Sequence, residues 1–184
     1  MNLTNHFLIA MPSLSDPNFS RTVTYLCSHD EDGAMGIVIN RPLGVTLGEV
    51  LGQMGISATD DNAQEIPVLQ GGPVLPERGF VLHRPASTWD AVLEVADTGV
   101  AVATSRDILQ AIALGDGPTD VVVALGYAGW AAGQLEDELG ANAWLSGPAD
   151  QNIIFDAPHD QRWSLAARTL GVEIEHLSSQ AGHA

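Results

Sequence analysis

The sequence predicts a mixed α/β domain with short strands and few helices, and three local patterns carry that prediction. Val23, Tyr25, Cys27 and His29 alternate with the two-residue period of a strand. Thr46-Leu-Gly-Glu49 is a capping box that opens an apolar stripe at helical spacing. Val121-Val-Val-Ala-Leu125 is a continuous apolar run of the kind buried on both faces of a sheet. The chain has 184 residues and 45% hydrophobic content. A domain of that size buries about 70% of its unfolded surface, so one domain over residues 1–184 is expected.

The elements follow in order. Asp32-Gly33 is a hairpin signal that turns the first strand into a second, Gly36-Ile-Val-Ile-Asn40, so an antiparallel hairpin starts the sheet. After the capping box, Leu47, Val50, Leu51 and Met54 share one face of a helix of about two to three turns. Residues 55–67 read as a polar loop. Strands are expected at 66–69, 79–83, 91–96 and 100–104, the last two joined by a turn at Asp97-Thr98-Gly99. Ser105 can cap a helix that buries Ile108, Leu109 and Ile112 and stops at Gly115 or Gly117-Pro118. The central strand at 121–125 then runs into Gly126-Tyr-Ala-Gly129, a glycine-rich turn that feeds a helix ending at Gly140. Pro158 opens the last helix, which buries Trp163, Ala166, Ala167 and Leu170 and ends at Gly171.

Charge excludes whole classes of chemistry. Seven basic residues face 23 acidic ones, for a formal charge of −16, and every basic residue is arginine. Without lysine there is no P-loop, no Schiff base and no pyridoxal phosphate attachment. The negative charge opposes direct nucleic-acid binding, which depends on cationic side chains displacing counterions. A regulator of this composition works through a protein partner or a small ligand. The competing account of the acidity is a solubilising surface.

The single cysteine cannot form an internal disulfide, no charged leader precedes the first apolar run, and no stretch approaches the roughly 20 apolar residues of a membrane span. A soluble cytoplasmic protein with no membrane partner is expected.

Four constellations can carry chemistry. Cys27 and His29, two apart on one strand face, can pair so that an imidazolium lowers the thiol pKa, the arrangement of a thiol enzyme or redox sensor. A buried thiol acting as a small hydrophobe is the competing role. Arg41, in Asn40-Arg41-Pro42, and Arg106, in Ser105-Arg106-Asp107, stand at strand ends where a guanidinium can grip a carboxylate or phosphate. An internal salt bridge is the alternative for each. Gly126 and Gly129 can present backbone amides to an anion at a helix start, or can simply allow close packing. Gly71-Gly72-Pro73 before Glu77-Arg78-Gly79 shapes backbone. The expected ligand-binding residues are therefore Arg41, Arg106, Gly126 and Gly129, around a small anionic ligand. Metals and cofactors are not expected: the histidines are scattered, and H-E-x-x-H, G-x-S-x-G and a complete calcium loop are absent.

Several blocks, in order along nearly the whole chain, resemble the YqgE/AlgH family of small bacterial proteins. They are Phe7-Leu-Ile-Ala-Met-Pro12, Asp16-Pro-Asn-Phe19-Ser-Arg21, Gly33-Ala-Met-Gly-Ile-Val-Ile-Asn-Arg-Pro42, Gly71-Gly72-Pro73-Val74, Pro76-Glu77-Arg78-Gly79-Phe80-Val81-Leu82-His83, Thr104-Ser105-Arg106-Asp107, Gly126-Tyr-Ala-Gly129-Trp130 and Gly133-Gln134-Leu135-Glu136. The resemblance implies a mixed sheet partly closed into a small barrel, with helices packed around it. It also implies a regulatory role, since the family is named in part for transcriptional regulators. The expectation is a non-enzymatic regulatory or ligand-binding protein that does not bind DNA directly, with a Cys27-centred thiol enzyme as the alternative.

Overall fold

A computed structural model describes residues 1–180. β1 (His6–Ala10), β2 (Val23–Asp30) and β3 (Gly33–Val38) form an antiparallel meander, with Asp30 opposite Gly33 across the expected tight turn. β4 (Pro42–Thr46) leads into α1 (Leu47–Gln53), where both halves of the capping box form: Glu49 N–H donates to Thr46 Oγ1, and Thr46 N–H donates to Glu49 Oε2. β5 (Pro67–Gln70) and β6 (Val74–Arg84) follow, then β7 (Val92–Glu94) and β8 (Ala101–Ala103), α3 (Arg106–Ala113) and the 12-residue β9 (Asp120–Ala131). Between α1 and β5 lies α2 (Asp61–Gln64), one turn capped by the Asp60 carboxylate. The chain closes with α4 (Gln134–Gly140), β10 (Trp144–Pro148), α5 (Gln151–Phe155), α6 (Arg162–Arg168) and α7 (Ile174–Gln180).

The strand order is β10-β1-β2-β3-β9-β6-β8-β7, with β5 added to β9 in parallel and β4 paired to β5. β9 is the hinge of this arrangement. Its last residues pair with β3, while its first part pairs with β6 and β5. The result is a strongly curled, mainly antiparallel sheet in the form of a half-barrel.

Alternation along the strands divides the core into three clusters. Phe7, Tyr25, Ile37, Leu82 and Val102 pack with Ile154 and Ala167 of α5 and α6. Val68, Val81, Ala103 and Val123 face the opposite way, onto Leu51 of α1 and Ile108 and Ile112 of α3. Leu8, Leu26, Trp130 and Trp144 cover Leu135 of α4. Removing this apolar area from water, at about 25 cal/mol per Å², is what holds helices this short in place.

Several expectations need correction. Gly126-Tyr-Ala-Gly129 is not a strand-to-helix turn: it lies inside β9, which continues to Ala131, and α4 starts three residues further on. The polar loop contains α2. The helix opened by Pro158 is a short 3-10 turn, His159–Gln161, continuing into α6. Spacing does not predict β1, β4, β10, α5 or α7: each is short, and β1 and β10 pair with each other from opposite ends of the chain.

Candidate functional site

The site grows from an irregularity in β6. Val74 stands opposite Tyr127 and Gly79 opposite Leu125, so residues 75–78 leave the ladder where β9 has only Gly126. Pro76 has no N–H for the ladder, and Leu75 takes a positive φ of 47°. Beneath the excursion the chain of Gly71-Gly72 crosses β9 in direct contact. A Cβ on Gly126 would lie 2.3 Å from the Gly72 carbonyl oxygen, and one on Gly72 would lie 2.1 Å from the Tyr127 carbonyl carbon. Both residues also have positive φ, +79° and +154°. These glycines therefore serve the crossing, and the expected anion nest at a helix start does not form.

The excursion forms one wall of a cleft of about 750 Å³ bounded by β3, β6, β7, β8 and β9. Phe80 and Tyr127 make its floor, their ring centroids 5.4 Å apart at 58°. Leu75, Val92 and Leu93 stand at its rim with 51%, 40% and 46% of their surface exposed, three of the seven large exposed hydrophobics of the described residues. Together they give the cleft an exposed apolar rim. Arg78 is the charged residue lining the cleft, and its Nη2 donates to Thr104 Oγ1 at 3.3 Å.

On the other side of the sheet a second cleft, of about 700 Å³, runs between α1, α3 and β9. Arg106 lines it, but its Nη2 donates to the Met54 carbonyl at 2.9 Å. Its neighbours complete a local staple. Ser105 Oγ donates to Asp107 and accepts the Ala91 N–H, and Asp107 accepts the Asp90 N–H. The Ser105 hydroxyl, first among several hydrogen bonds, holds the Asp107 carboxyl below its ordinary range. The Ser-Arg-Asp motif thus fixes the strand β7 that walls the first cleft.

Arg41 is not brought to Arg106. Its guanidinium donates to the Pro17 and Ser20 carbonyls at 2.7 and 3.0 Å, while Asn40 binds the Val23 N–H and the Arg21 carbonyl. Asn40-Arg41 is therefore a staple for the loop between β1 and β2. Of the residues expected to bind a ligand, Gly129 lines the first cleft, Arg106 lines the second, and neither set of cleft-lining residues includes Arg41.

Cys27 and His29 do not meet. The β2–β3 register shifts between Leu26 and Ser28, so Cys27 is the extra residue of a β-bulge and the alternation inverts there. Cys27 packs with Tyr25 and Ile37, and its thiol points to the Tyr25 carbonyl at 3.7 Å. It is 2% exposed, and burial pushes its pKa up to about 12. His29 leaves on the opposite face, towards Leu3 and Glu136. The reactive thiolate arrangement is absent from this structure. Among the described residues no group of three or more His, Cys, Asp or Glu side chains is placed to hold a metal ion, and no helix is long and apolar enough to cross a membrane.

Sequence reasoning places Arg78, Phe80 and Tyr127 in blocks of the family resemblance but assigns none of them a binding role. Glu77-Arg78-Gly79 reads locally as a turn, and only the closure of β6 onto β8 and β9 sets Arg78 beside Thr104. A local signal is the apolar, proline-interrupted Val74-Leu-Pro76 before a lone cation.

A half-barrel of strongly curled sheet, with its helices packed around it and a cleft at its open side, is the class of fold defined here. The chain belongs to the AlgH-like family (DUF179), whose pattern matches residues 7–175. It is 57% identical over 182 residues to a UPF0301 protein of Xanthomonas campestris, covering 99% of this chain and 96% of that one. A UPF0301 protein of Thioalkalivibrio sulfidiphilus is 59% identical over 183 residues, covering 100% and 97%. The solution structure of the AlgH protein from Pseudomonas aeruginosa matches with a TM-score of 0.82 at 52% identity, over 100% of this chain and 97% of that chain. A Corynebacterium diphtheriae protein shares the fold with a TM-score of 0.72 at 20% identity, over 96% and 91%.

Proposed function

We propose that this chain is a cytoplasmic regulatory module that binds a small ligand in the cleft beside Arg78 and does not contact DNA itself. The observation that carries the reading is the cleft: an aromatic floor, an exposed apolar rim and a cation whose side chain has no carboxylate partner among the described residues. Ligand pockets of globular proteins have about 300–1,000 Å³ and mostly apolar walls with a few placed polar groups, and this one falls within that range. The charge of −16 without lysine supports an indirect role in regulation. Nothing in the surroundings of Cys27 favours the thiol-dependent alternative.

The neutral dye Nile red tests the seat without involving charge. It is expected to bind with a blue-shifted emission, and Ala91→Trp, which places a ring in the cleft, should abolish that signal while the fold persists by circular dichroism. Unchanged dye binding in Ala91→Trp would put the seat elsewhere. Fluorescence anisotropy with duplex DNA at low salt, where attraction is least screened, should show no binding. Submicromolar, salt-sensitive binding would overturn the indirect role.

A further inference from the structure

Resting on that reading of the cleft, we propose that its ligand is an amphipathic monocarboxylate, with the carboxylate on Arg78 and Thr104 and an apolar body along Phe80 and Tyr127.

The first ground is the state of the arginines. In a chain with 23 acidic residues and seven arginines, a guanidinium should readily find an oxygen anion or a carbonyl. Arg84 binds Asp120 and Asp156, and Arg168 binds Glu173. Arg41, Arg106 and Arg162 bind backbone carbonyls, and Arg21 lies 5.4 Å over the Trp163 ring. Arg78 has one hydroxyl partner at 3.3 Å, longer than the usual N–H···O separation of about 2.9–3.0 Å. Its planar fork is left to face the cleft, and a carboxylate is the anion that fits such a fork with two parallel bonds.

The second ground separates carboxylate from phosphate. A phosphoryl group carries close to two charges and is usually cradled by several cations or by a run of free backbone N–H groups. Here one cation stands in a chain of net charge −16, flanked in sequence by Glu77, and β7 ends in Glu94. The glycine stretch of β9 offers no nest, because Tyr127, Ala128 and Gly129 are paired to Val74, Gly36 and Met35. One positive charge beside one hydroxyl matches one negative charge.

The third ground is the rest of the cleft. Beyond Arg78 and Thr104 its walls are chiefly apolar, and Leu75, Val92 and Leu93 remain exposed at the rim. A short polar acid would leave that surface wet. An apolar chain or aryl body would cover it, at about 0.8 kcal/mol for each buried methylene.

The test uses displacement of Nile red by decanoate, decanol and decyl phosphate, below their micellar concentrations, from wild type and Arg78→Gln. Decanoate is expected to bind wild type at least about tenfold more tightly than decanol or decyl phosphate, the range for a charge-assisted bond. Arg78→Gln should remove that advantage and leave decanol unchanged. Arg78 is exposed, so the variant is expected to fold. Equal displacement by decanol and decanoate would overturn the carboxylate while leaving the cleft as an apolar seat. Tighter, Arg78-dependent binding of decyl phosphate would assign the site to phosphates. Dye binding insensitive to Ala91→Trp would instead remove the seat itself, so the two readings fail separately.

Discussion

His29 donates from Nε2 to Glu136 Oε1 at 2.7 Å while its Nδ1 accepts the Leu3 N–H at 2.9 Å. A backbone N–H can only donate, so the tautomer is set: the ring proton sits on Nε2. The imidazole ties the N-terminal segment and α4 to the end of β2. Thr4 adds to the same knot, its hydroxyl accepting the His29 N–H at 2.9 Å. Glu136 is held below its ordinary pKa, first by its own backbone N–H and then by His29. Neither nitrogen of His29 is left for Cys27.

That relationship predicts how Cys27 reacts. Native protein at pH 7 should resist iodoacetamide, and labelling should follow unfolding, because the sulfur is buried and its pKa is pushed up to about 12. His29→Ala leaves the Leu3 N–H without a partner and opens a cavity, costing about 2–4 kcal/mol. Labelling should therefore become faster in His29→Ala, through more frequent opening. Slower labelling in that variant would mean that the imidazole activates the thiol after all.

The same burial makes the fold sensitive to alkali. In the unfolded chain Cys27 loses its proton near its ordinary value of 9.0, whereas in the folded protein it keeps the proton up to about 12. The native state then holds more protons than the unfolded one, so stability falls as pH rises above about 9, by up to about 1.4 kcal/mol per pH unit. Tyr25 adds to the loss above its ordinary value of 10.0, since burial, and next the neighbouring Cys27, raise its pKa as well. Urea unfolding between pH 8 and about 10 should show the decline, and Cys27→Ala should flatten its first part. An identical slope in both proteins would show that the thiol is not its source.

What the sequence makes legible is the local part of this structure. The Thr46–Glu49 box forms as expected because its partners lie three residues apart, and the β2–β3 hairpin because two residues close it. The bulge at Cys27 is hidden, since an inserted residue inverts the faces of the side chains beyond it without changing the pattern of residue types, and it shows only when register against β3 is known. Gly126 misled for a related reason. Glycine signals a turn when only neighbours in sequence are weighed, but here it lets Gly72 pass, and the strand continues to Ala131. β1 and β10 pair residues 6–10 with 144–148, a contact that no short window contains. The place of Arg78 beside the cleft is illegible on the same ground, because its partner Thr104 is 26 residues away.

The contrast between Arg41 and Arg78 supplies the last prediction. Arg41 binds two loop carbonyls at 2.7 and 3.0 Å, and Asn40 binds Val23 and Arg21 of the same segment, so the pair closes the loop onto the end of β3. Pro17 is exposed, so water can replace part of what Arg41 provides, and Arg41→Gln should cost about 1–2 kcal/mol, below the full value of two buried charged bonds. Limited proteolysis should then cut faster between residues 11 and 22, while Nile red and decanoate bind as in wild type. Arg78→Gln should do the reverse, leaving urea stability within about 0.5 kcal/mol and weakening decanoate. If Arg41→Gln lost decanoate with its stability intact, Arg41 would be an anion anchor and the loop staple would be incidental. If both variants behaved alike, the division between a structural and a binding arginine would fail.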